Sequence, residues 1–245
     1  SMTNAVILNN REHQDLRVDT RYAPEFGDSV NRALVFSSEF GDIQKEYPIL
    51  FHKKPDSEQL QAHAILGFDR DENLFLNQGQ WRGHYVPSVL ARGPFLIGLQ
   101  RQEQSGDPNR EPVIQIDMDN PRVGAEEGEP LFLPMGGHSP YLERVIATLK
   151  TIHQGVVFDK TLFAVLTDMA LLEPVAIEVT LSNIEQYKFH NYYTVNEEKL
   201  TSLSGEPLEK LHKLGVLRLL FLAHASLGNF QRLIELKNQK NAMVS

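Results

Sequence analysis

The stretch EPVAIEVTL, residues 173–181, decides the fold class, because apolar and polar side chains alternate along it. One face of the predicted strand carries four apolar side chains, Val175, Ile177, Val179 and Leu181. The other face carries Glu178 and Thr180. A strand with one polar face is typical of an antiparallel sheet that packs its apolar face on a core. We therefore expect an antiparallel sheet at this point of the chain.

Further strands are expected in the first two-thirds of the chain, where short apolar runs alternate with turn-forming residues. These runs are ALVF (33–36), YPILF (47–51), AHAILGF (62–68), NLFL (73–76) and the alternating PVIQIDMD (112–119). The last of them places Ile114, Ile116 and Met118 on one face, with Gln115 and Asp117 on the other. RQEQSGDPNREP (101–112) is predicted to be a polar loop, and YKFHNYYTV (187–195) to be a further alternating segment.

Helices are predicted from Ser139 onward, where Ser-Pro forms a cap with proline at the first helical position. One helix is predicted over residues 141–152, and a second from Asp159 to about Leu172. Thr194 and Glu197 have capping-box spacing for a short helix that follows them.

The last helical element is predicted from about Pro207 to Lys237, with a break near Gly215. Strands that precede helices and return between them favour an α+β fold over a doubly wound sheet. We expect a single domain over residues 1–245. It has mainly antiparallel sheet in the N-terminal two-thirds, helices packed on that sheet and a long buried C-terminal helix.

Composition excludes several classes of function. The net charge of −8, with no basic cluster, argues against a nucleic-acid partner. The absence of cysteine excludes disulfides, thiolate metal sites and a cysteine nucleophile. Residues 214–227 form the longest apolar run, which is too short to cross a bilayer. Ser1 and Met2 are interpreted as a tag remnant and the initiator, with no signal peptide after them, so we expect a cytoplasmic protein.

A metal site is one alternative, because the chain has nine histidines. His13 and Asp15 form the H-x-D half of the facial triad of non-haem iron oxygenases, and a distant His84 or His224 would complete it. The same His13 can instead have a loop or capping role. His224 lies on an apolar helical run, where a hydrogen-bonded core histidine is the plainer interpretation.

The segment GQWRGHYVPSVLARGPF, residues 79–95, crowds a tryptophan, a tyrosine and two arginines between prolines and glycines. Pro87 can begin a short helical turn, and Gly93-Pro94 must end it. Trp81, Tyr85 and Arg92 therefore acquire fixed directions. One interpretation is a structural role, in which the segment fixes the packing of the core. The other is a pocket for a planar or peptide-like ligand. We call residues 81–95 the aromatic segment.

Several segments together resemble the SapC-like family of bacterial soluble proteins, which is distinct from the peptide-transporter permease of the same name. The matching pieces are REHQDLRV (11–18), EF and EYPILF (39–51), AILGF, NLFL and GQWRGHYVP (64–87), Arg92 with Pro94-Phe95, IQID (114–117), EGEPLF (127–132), YTVNEEKL (193–200) and LFLAHASLGN (220–229). Gly93 stands where the family usually has an aromatic residue. The resemblance implies a single domain and gene neighbourhoods with TonB-dependent receptors and flavin-dependent halogenase-like enzymes. It therefore implies a role in nutrient uptake or peptide modification.

The first functional hypothesis is an accessory protein without a cofactor that binds a peptide, a small ligand or a partner protein. The family pattern contains the expected ligand-binding residues, which are Glu39, Trp81, Tyr85, Arg92, Asp117, His224 and Asn229. The second hypothesis is an iron-dependent oxygenase that uses His13 and Asp15. The third is a structural homo-oligomer.

Overall fold

The computed structural model describes residues 4–98, 113–175, 178–182 and 185–244. The predicted loop at residues 101–112, the predicted inward position of Ile177 and the interpretation of Ser1 and Met2 lie outside the described residues. The strands are β1 (Ala5–Ile7), β2 (Arg17–Val18), β3 (Arg32–Val35), β4 (Ile49–Lys53), β5 (Leu60–Ile65), β6 (Leu76–Asn77), β7 (Gln80–Trp81), β8 (Phe95–Gly98), β9 (Val113–Asp117), β10 (Glu129–Pro130), β11 (Leu172–Pro174), β12 (Glu178–Thr180), β13 (Gln186–Lys188) and β14 (Tyr192–Val195). The helices are α1 (Phe40–Ile43), α2 (Ser88–Ala91), α3 (Pro140–Asp168), α4 (Glu197–Ser202), α5 (Gly205–Lys213), α6 (Leu217–Ala225) and α7 (Phe230–Val244).

The largest sheet has five antiparallel strands in the order β11-β14-β4-β5-β3. In its register Phe51 lies opposite Ala62 and Tyr193, so these side chains share one face. The rings of Phe51 and Phe163 of α3 pack edge to face, with their centroids 6.4 Å apart, which places that helix on the same face. The α+β prediction is confirmed.

A second antiparallel sheet, β1-β9-β8, pairs residues from opposite ends of the N-terminal half. Ile116 in its central strand is fully buried. Ile114 and Met118 pack on the same apolar cluster, as the alternation predicts. Asp117 is also buried, although the pattern places it on the opposite face.

Two apolar clusters form the core. The larger lies around the five-stranded sheet with α6 and α7, and the smaller around β8 and β9. Helix α3 contributes to both, with Leu142 and Leu149 in the smaller cluster and Leu162 and Leu166 in the larger. The long helix thus connects the two packing regions.

The two helices predicted after Ser139 form one continuous helix of 29 residues. Ser139 caps it as predicted, with its hydroxyl accepting the Leu142 amide at 3.1 Å. The predicted interruption is wrong, because Gly155 faces the turn before α1 and does not break the helix. A Cβ on Gly155 would lie 2.2 Å from Cβ of Phe36. The glycine therefore serves close packing.

The stretch 173–181 does not form one strand. Its beginning belongs to β11 in the large sheet, and its end to β12, which pairs with β13 in a separate hairpin. Val179 and Leu181 are buried, whereas Glu178 and Thr180 are exposed, so the predicted alternation holds locally. The capping prediction for α4 was wrong by two positions, since Asn196 accepts the Lys199 amide at 3.1 Å.

The C-terminal region is a succession of helices, with the expected break at Gly215, where φ is 76°. A 3₁₀ turn over Ser226–Asn229 separates α6 from the long final helix α7. Leu233 and Leu236 bury the inner face of α7. Within the described ranges, no helix combines the length and the apolar character that crossing a membrane requires.

Candidate functional site

The aromatic segment begins in the β6–β7 hairpin, continues through α2 and ends at the start of β8. In the hairpin, Leu76 lies opposite Trp81, and the Arg82 amide donates to the Phe75 carbonyl at 2.8 Å. At the other end, the Asp117 amide donates to the Pro94 carbonyl at 2.9 Å. Backbone hydrogen bonds thus fix the segment at both ends.

Trp81 is half-buried and is held by rings on two sides. It stacks on Phe75, with the ring centroids 5.8 Å apart and an interplanar angle of 11°. Tyr22 packs edge to face on it, with the ring centroids 5.6 Å apart. Its indole Nε1 donates to the Tyr47 hydroxyl at 2.8 Å. The polar atom of the indole is therefore used inside the protein, and only part of the ring faces solvent.

Tyr47 connects Trp81 to the rest of the segment. The fully buried Tyr47 side chain accepts from the Trp81 indole and donates its own hydroxyl proton to the Tyr85 carbonyl. Gly83 lies against this hydroxyl, so that a Cβ there would come within 2.5 Å of it. This close approach explains the second glycine of GQWRG.

Tyr85 is bound at its backbone and at its ring. The amides of His84 and Tyr85 donate to the Glu46 carboxylate at 2.7 and 2.8 Å. The Tyr85 hydroxyl donates to Glu39 at 2.8 Å and lies 3.2 Å from the Ser88 hydroxyl. Burial, and then the adjacent Glu39 carboxylate, raise the pKa of Tyr85 above its ordinary value.

Glu39 is a buried carboxylate at the end of a 3₁₀ turn, Ser37–Glu39. It accepts the amides of Phe36 and Ser88 at 3.0 and 3.1 Å, together with the Tyr85 hydroxyl. Burial raises the pKa of Glu39 in spite of these three donors. The carboxylate joins α1 to α2 and has little contact with solvent.

Asn229 supports the same region from the C-terminal helices. Its side-chain amide donates to the Gln44 and Tyr47 carbonyls at 2.7 and 3.2 Å. Nearby, the buried Ser226 hydroxyl accepts the Ile49 amide at 2.8 Å. Hydrogen bonds therefore connect four of the predicted site residues to Tyr47. Trp81, Tyr85 and Asn229 bond to Tyr47 directly, and Glu39 is connected to it through Tyr85.

Arg92 follows α2 and is half-buried. Its Nε is buried and has no hydrogen-bond partner among the described residues. Burial lowers the pKa of the guanidinium below its usual value. The side chain is thus a cation held partly away from water with an unused donor.

Arg82 and His84 are the exposed side chains of the aromatic segment, between the fixed rings of Trp81 and Tyr85. No carboxylate in the described part of the chain lies within 4.0 Å of the Arg82 guanidinium. Arg82 also lines a cavity of about 320 Å³. The segment therefore presents a free cation on a backbone that hydrogen bonds hold in place.

Asp117 and His13 lie apart from the Tyr47 network. Asp117 is at the end of β9, where its carboxylate accepts the Asn4 and Asp119 amides at 3.2 and 3.1 Å. His13 is buried in the N-terminal loop, and its Nδ1 accepts the Asn9 amide at 3.1 Å. His13 therefore holds the backbone of its own loop.

His224 lies on α6 with its Nε2 3.6 Å from a Glu197 carboxylate oxygen. Its Nδ1 is buried and has no hydrogen-bond partner in the described ranges, and the contact of its Nε2 is longer than a hydrogen bond. The expected hydrogen-bonded core histidine is therefore not found. Among the residues that the structure describes, no three His, Asp or Glu side chains are grouped as metal ligands would be. The geometry thus gives the iron hypothesis with His13, Asp15 and a third histidine no support.

Sequence analysis missed Glu46, Tyr47 and Ser88, which form much of the network. The first two occur in EYPILF, a pattern that predicts the beginning of a strand and gives no sign of a polar role. Ser88 follows Pro87 at the predicted helical turn, and that position is the signal that could have indicated it.

A comparison with family models agrees with the ordered segments in the sequence. The family model described as SapC matches residues 8–233, nearly the whole chain. No curated protein and no solved structure matches the chain.

Proposed function

The chain belongs to the SapC family, and we propose that it is an accessory protein that binds a peptide or small ligand through the aromatic segment. It acts in this proposal beside a partner such as a TonB-dependent receptor or a flavin-dependent halogenase-like enzyme. The observation that carries the proposal is the combination of fixed rings and a free cation in one segment. Hydrogen bonds hold Trp81 and Tyr85 by their polar atoms, while Arg82 faces solvent with no carboxylate partner among the described residues.

The arrangement suits binding better than catalysis. The polar atoms that could transfer protons, those of Glu39, Tyr85 and Ser88, bond to one another in a buried cluster. A catalytic acid or base must come within hydrogen-bond reach of a substrate. A fixed segment with an exposed cation loses little conformational entropy when a ligand binds. These features support recognition of an acidic group.

Fluorescence of the full chain tests the proposal, because Trp81 is the one tryptophan of the sequence. Peptides from the partner receptor and the partner enzyme are titrated while the Trp81 emission is followed. We expect a saturable change in emission with at least one peptide, and at least tenfold weaker binding by the Arg82→Gln variant. Arg144→Gln, which alters an exposed arginine of α3, is the matched control. An unchanged emission across the whole panel would contradict the proposal.

A further inference from the structure

The cavity beside Arg82 lies between the chain preceding the β6–β7 hairpin and the last turns of α7. We propose that it binds a carboxylate attached to a small aliphatic group, either a free acid or the C-terminal residue of a peptide. This inference rests on the proposed function, because Arg82 belongs to the aromatic segment. It adds the chemical class of the ligand and a second wall, supplied by α7.

The cavity has an apolar wall made of leucines. Leu74 and Leu236 are buried, and Leu76 is partly exposed beside them. At the rim, Met243 and Val244 of α7 are 85% and 83% exposed. An aliphatic group between these two sets of side chains removes apolar surface from water on both sides. The volume of about 320 Å³ is near the lower end of the range for small-molecule sites, roughly 300–1,000 Å³, so the ligand is small.

The polar side of the cavity has an excess of positive charge. Glu72 accepts both Lys237 and Lys240 at 2.6 Å, and Asp69 accepts Lys237 at 2.8 Å. Among the residues that line the cavity, Arg82 and Lys240 carry a charge, and both are cations. An anionic ligand therefore complements this lining.

Lys240 is the second cation that can reach a ligand. Its side chain is 52% exposed and lines the cavity, whereas Lys237 is buried behind it. Because Glu72 is shared with Lys237, it does not fully neutralise Lys240. The guanidinium of Arg82 can accept a carboxylate with two parallel hydrogen bonds, with the Lys240 ammonium beside it.

Other features favour a monoanion with an aliphatic part. Lys240 already shares Glu72, which leaves Arg82 as the lining cation without a carboxylate partner among the described residues, and leucine side chains form the adjacent wall. The Asn73 side chain, which also lines the cavity, already donates to the Asp28 carbonyl and accepts the Phe75 amide, both at 2.9 Å. Asn73 therefore forms part of the wall, and the exposed Gln239 offers a further amide to the ligand.

Calorimetric titration of the full chain at low salt tests the charge requirement. The probe is N-acetyl-L-leucine, and its neutral control is N-acetyl-L-leucinamide. We expect the acid to bind at least tenfold more tightly than the amide. Arg82→Gln should weaken binding of the acid at least tenfold, whereas Arg11→Gln, which removes an exposed charge elsewhere, should leave it unchanged. Equal affinity for acid and amide, or full affinity in Arg82→Gln, would overturn the proposal.

Methyl NMR of methionine-labelled protein tests the location. The chain has five methionines, and Met243 lines the cavity, so its resonance, assigned with Met243→Leu, reports on this site. Saturating N-acetyl-L-leucine should shift the Met243 resonance in wild type. Binding that leaves the Met243 resonance unchanged would place the ligand elsewhere and contradict the inference.

The two sources of the carboxylate are separated with the peptide Gly-Gly-Ala-Leu and its C-terminal amide. Binding of N-acetyl-L-leucine and the free peptide identifies a chain terminus as a possible ligand, and binding of N-acetyl-L-leucine alone identifies a small acid. Either result supports the inference. If neither carboxylate binds, the inference fails, and a Trp81 response to receptor or enzyme peptides would still leave the proposed function standing.

Discussion

Single side chains explain why the aromatic segment keeps its shape. The Tyr47 hydroxyl accepts from Trp81 and donates to the Tyr85 carbonyl, so one oxygen satisfies two otherwise buried polar groups. Leaving buried donors or acceptors without partners costs more than a normal hydrogen bond contributes. The position of Trp81 therefore depends on a residue more than thirty positions away in sequence.

Replacement of Tyr47 by phenylalanine tests this dependence. Tyr47→Phe removes both hydrogen bonds but keeps the ring, so we expect the free energy of unfolding to fall by about 1–3 kcal/mol. Urea denaturation followed by Trp81 fluorescence measures the change. Tyr193→Phe is the control, because no hydrogen bond of its hydroxyl occurs among the described residues, and it should remain within about 0.5 kcal/mol of wild type. Equal stability of the two variants would contradict the role given to Tyr47.

A second single residue, His63, makes the stability of the protein depend on pH. Its Nδ1 lies 2.9 Å from the Tyr192 hydroxyl, which accepts Arg32 at 2.7 Å. Burial, with the nearby Arg32 and His52, lowers the pKa of His63 to about 3 from an ordinary 6.5. The unfolded chain therefore binds more protons than the native protein between these values, and the stability contributed by neutral His63 is lost as the pH falls from 6.5 toward 3.

We predict a smaller loss of stability on acidification when this histidine is replaced. Between pH 6.5 and pH 3, His63→Leu should lose less free energy of unfolding than wild type, by a few kcal/mol at most. Urea titrations at several pH values give the slope. His153→Leu alters an exposed histidine of α3 and should keep the wild-type slope. A wild-type slope in His63→Leu would show that His63 is not held neutral by its surroundings.

At the scale of elements, α3 connects the two apolar clusters because it is not interrupted. Gly155 allows the middle of the helix to approach the turn before α1, where Asp159 accepts the Ser37 amide at 3.1 Å. Burial raises the pKa of Asp159 at this contact. The position of the Ser37–Glu39 turn, and through Glu39 that of α2, therefore depends on the close packing of α3.

Gly155→Ala is predicted to destabilise the protein, although alanine is the better helix former. The new Cβ would lie 2.2 Å from Cβ of Phe36, which a rotamer change cannot relieve. We expect a loss of about 1–3 kcal/mol in the free energy of unfolding. Thermal or urea denaturation measures it.

Gly228→Ala is the matched control for this prediction. A Cβ at Gly228 meets nothing within 4 Å, so the variant should be close to wild type in stability. If Gly155→Ala were as stable as Gly228→Ala, the result would contradict the close packing of α3 against Phe36.

For the whole molecule, local patterns predicted the α+β class, most strand positions, the Ser139 cap and the break at Gly215. They failed where distant contacts decide. Two helices were expected, over 141–152 and from Asp159, because the sequence does not show that the intervening Gly155 packs against Phe36. The stretch 173–181 divides between two sheets because β14 pairs with its beginning and β13 with its end.

The candidate site shows the same limit. The sequence indicated Trp81, Tyr85 and Glu39, and the structure brings them together around Tyr47. It could not indicate that Arg82 and the end of α7 enclose one cavity, because these residues are separated by most of the chain. The predicted single domain, cytoplasmic location and homo-oligomer stay predictions.

The central claim is that the aromatic segment is rigid in the free protein, and native-state hydrogen exchange of the full chain tests it directly. The amides of His84 and Tyr85 donate to Glu46 at 2.7 and 2.8 Å, so they should exchange nearly as slowly as the amides of β5. In Glu46→Gln their exchange should become faster while that of β5 is little changed. Exchange of these two amides in the wild-type protein at the rate of an unstructured peptide would contradict the account.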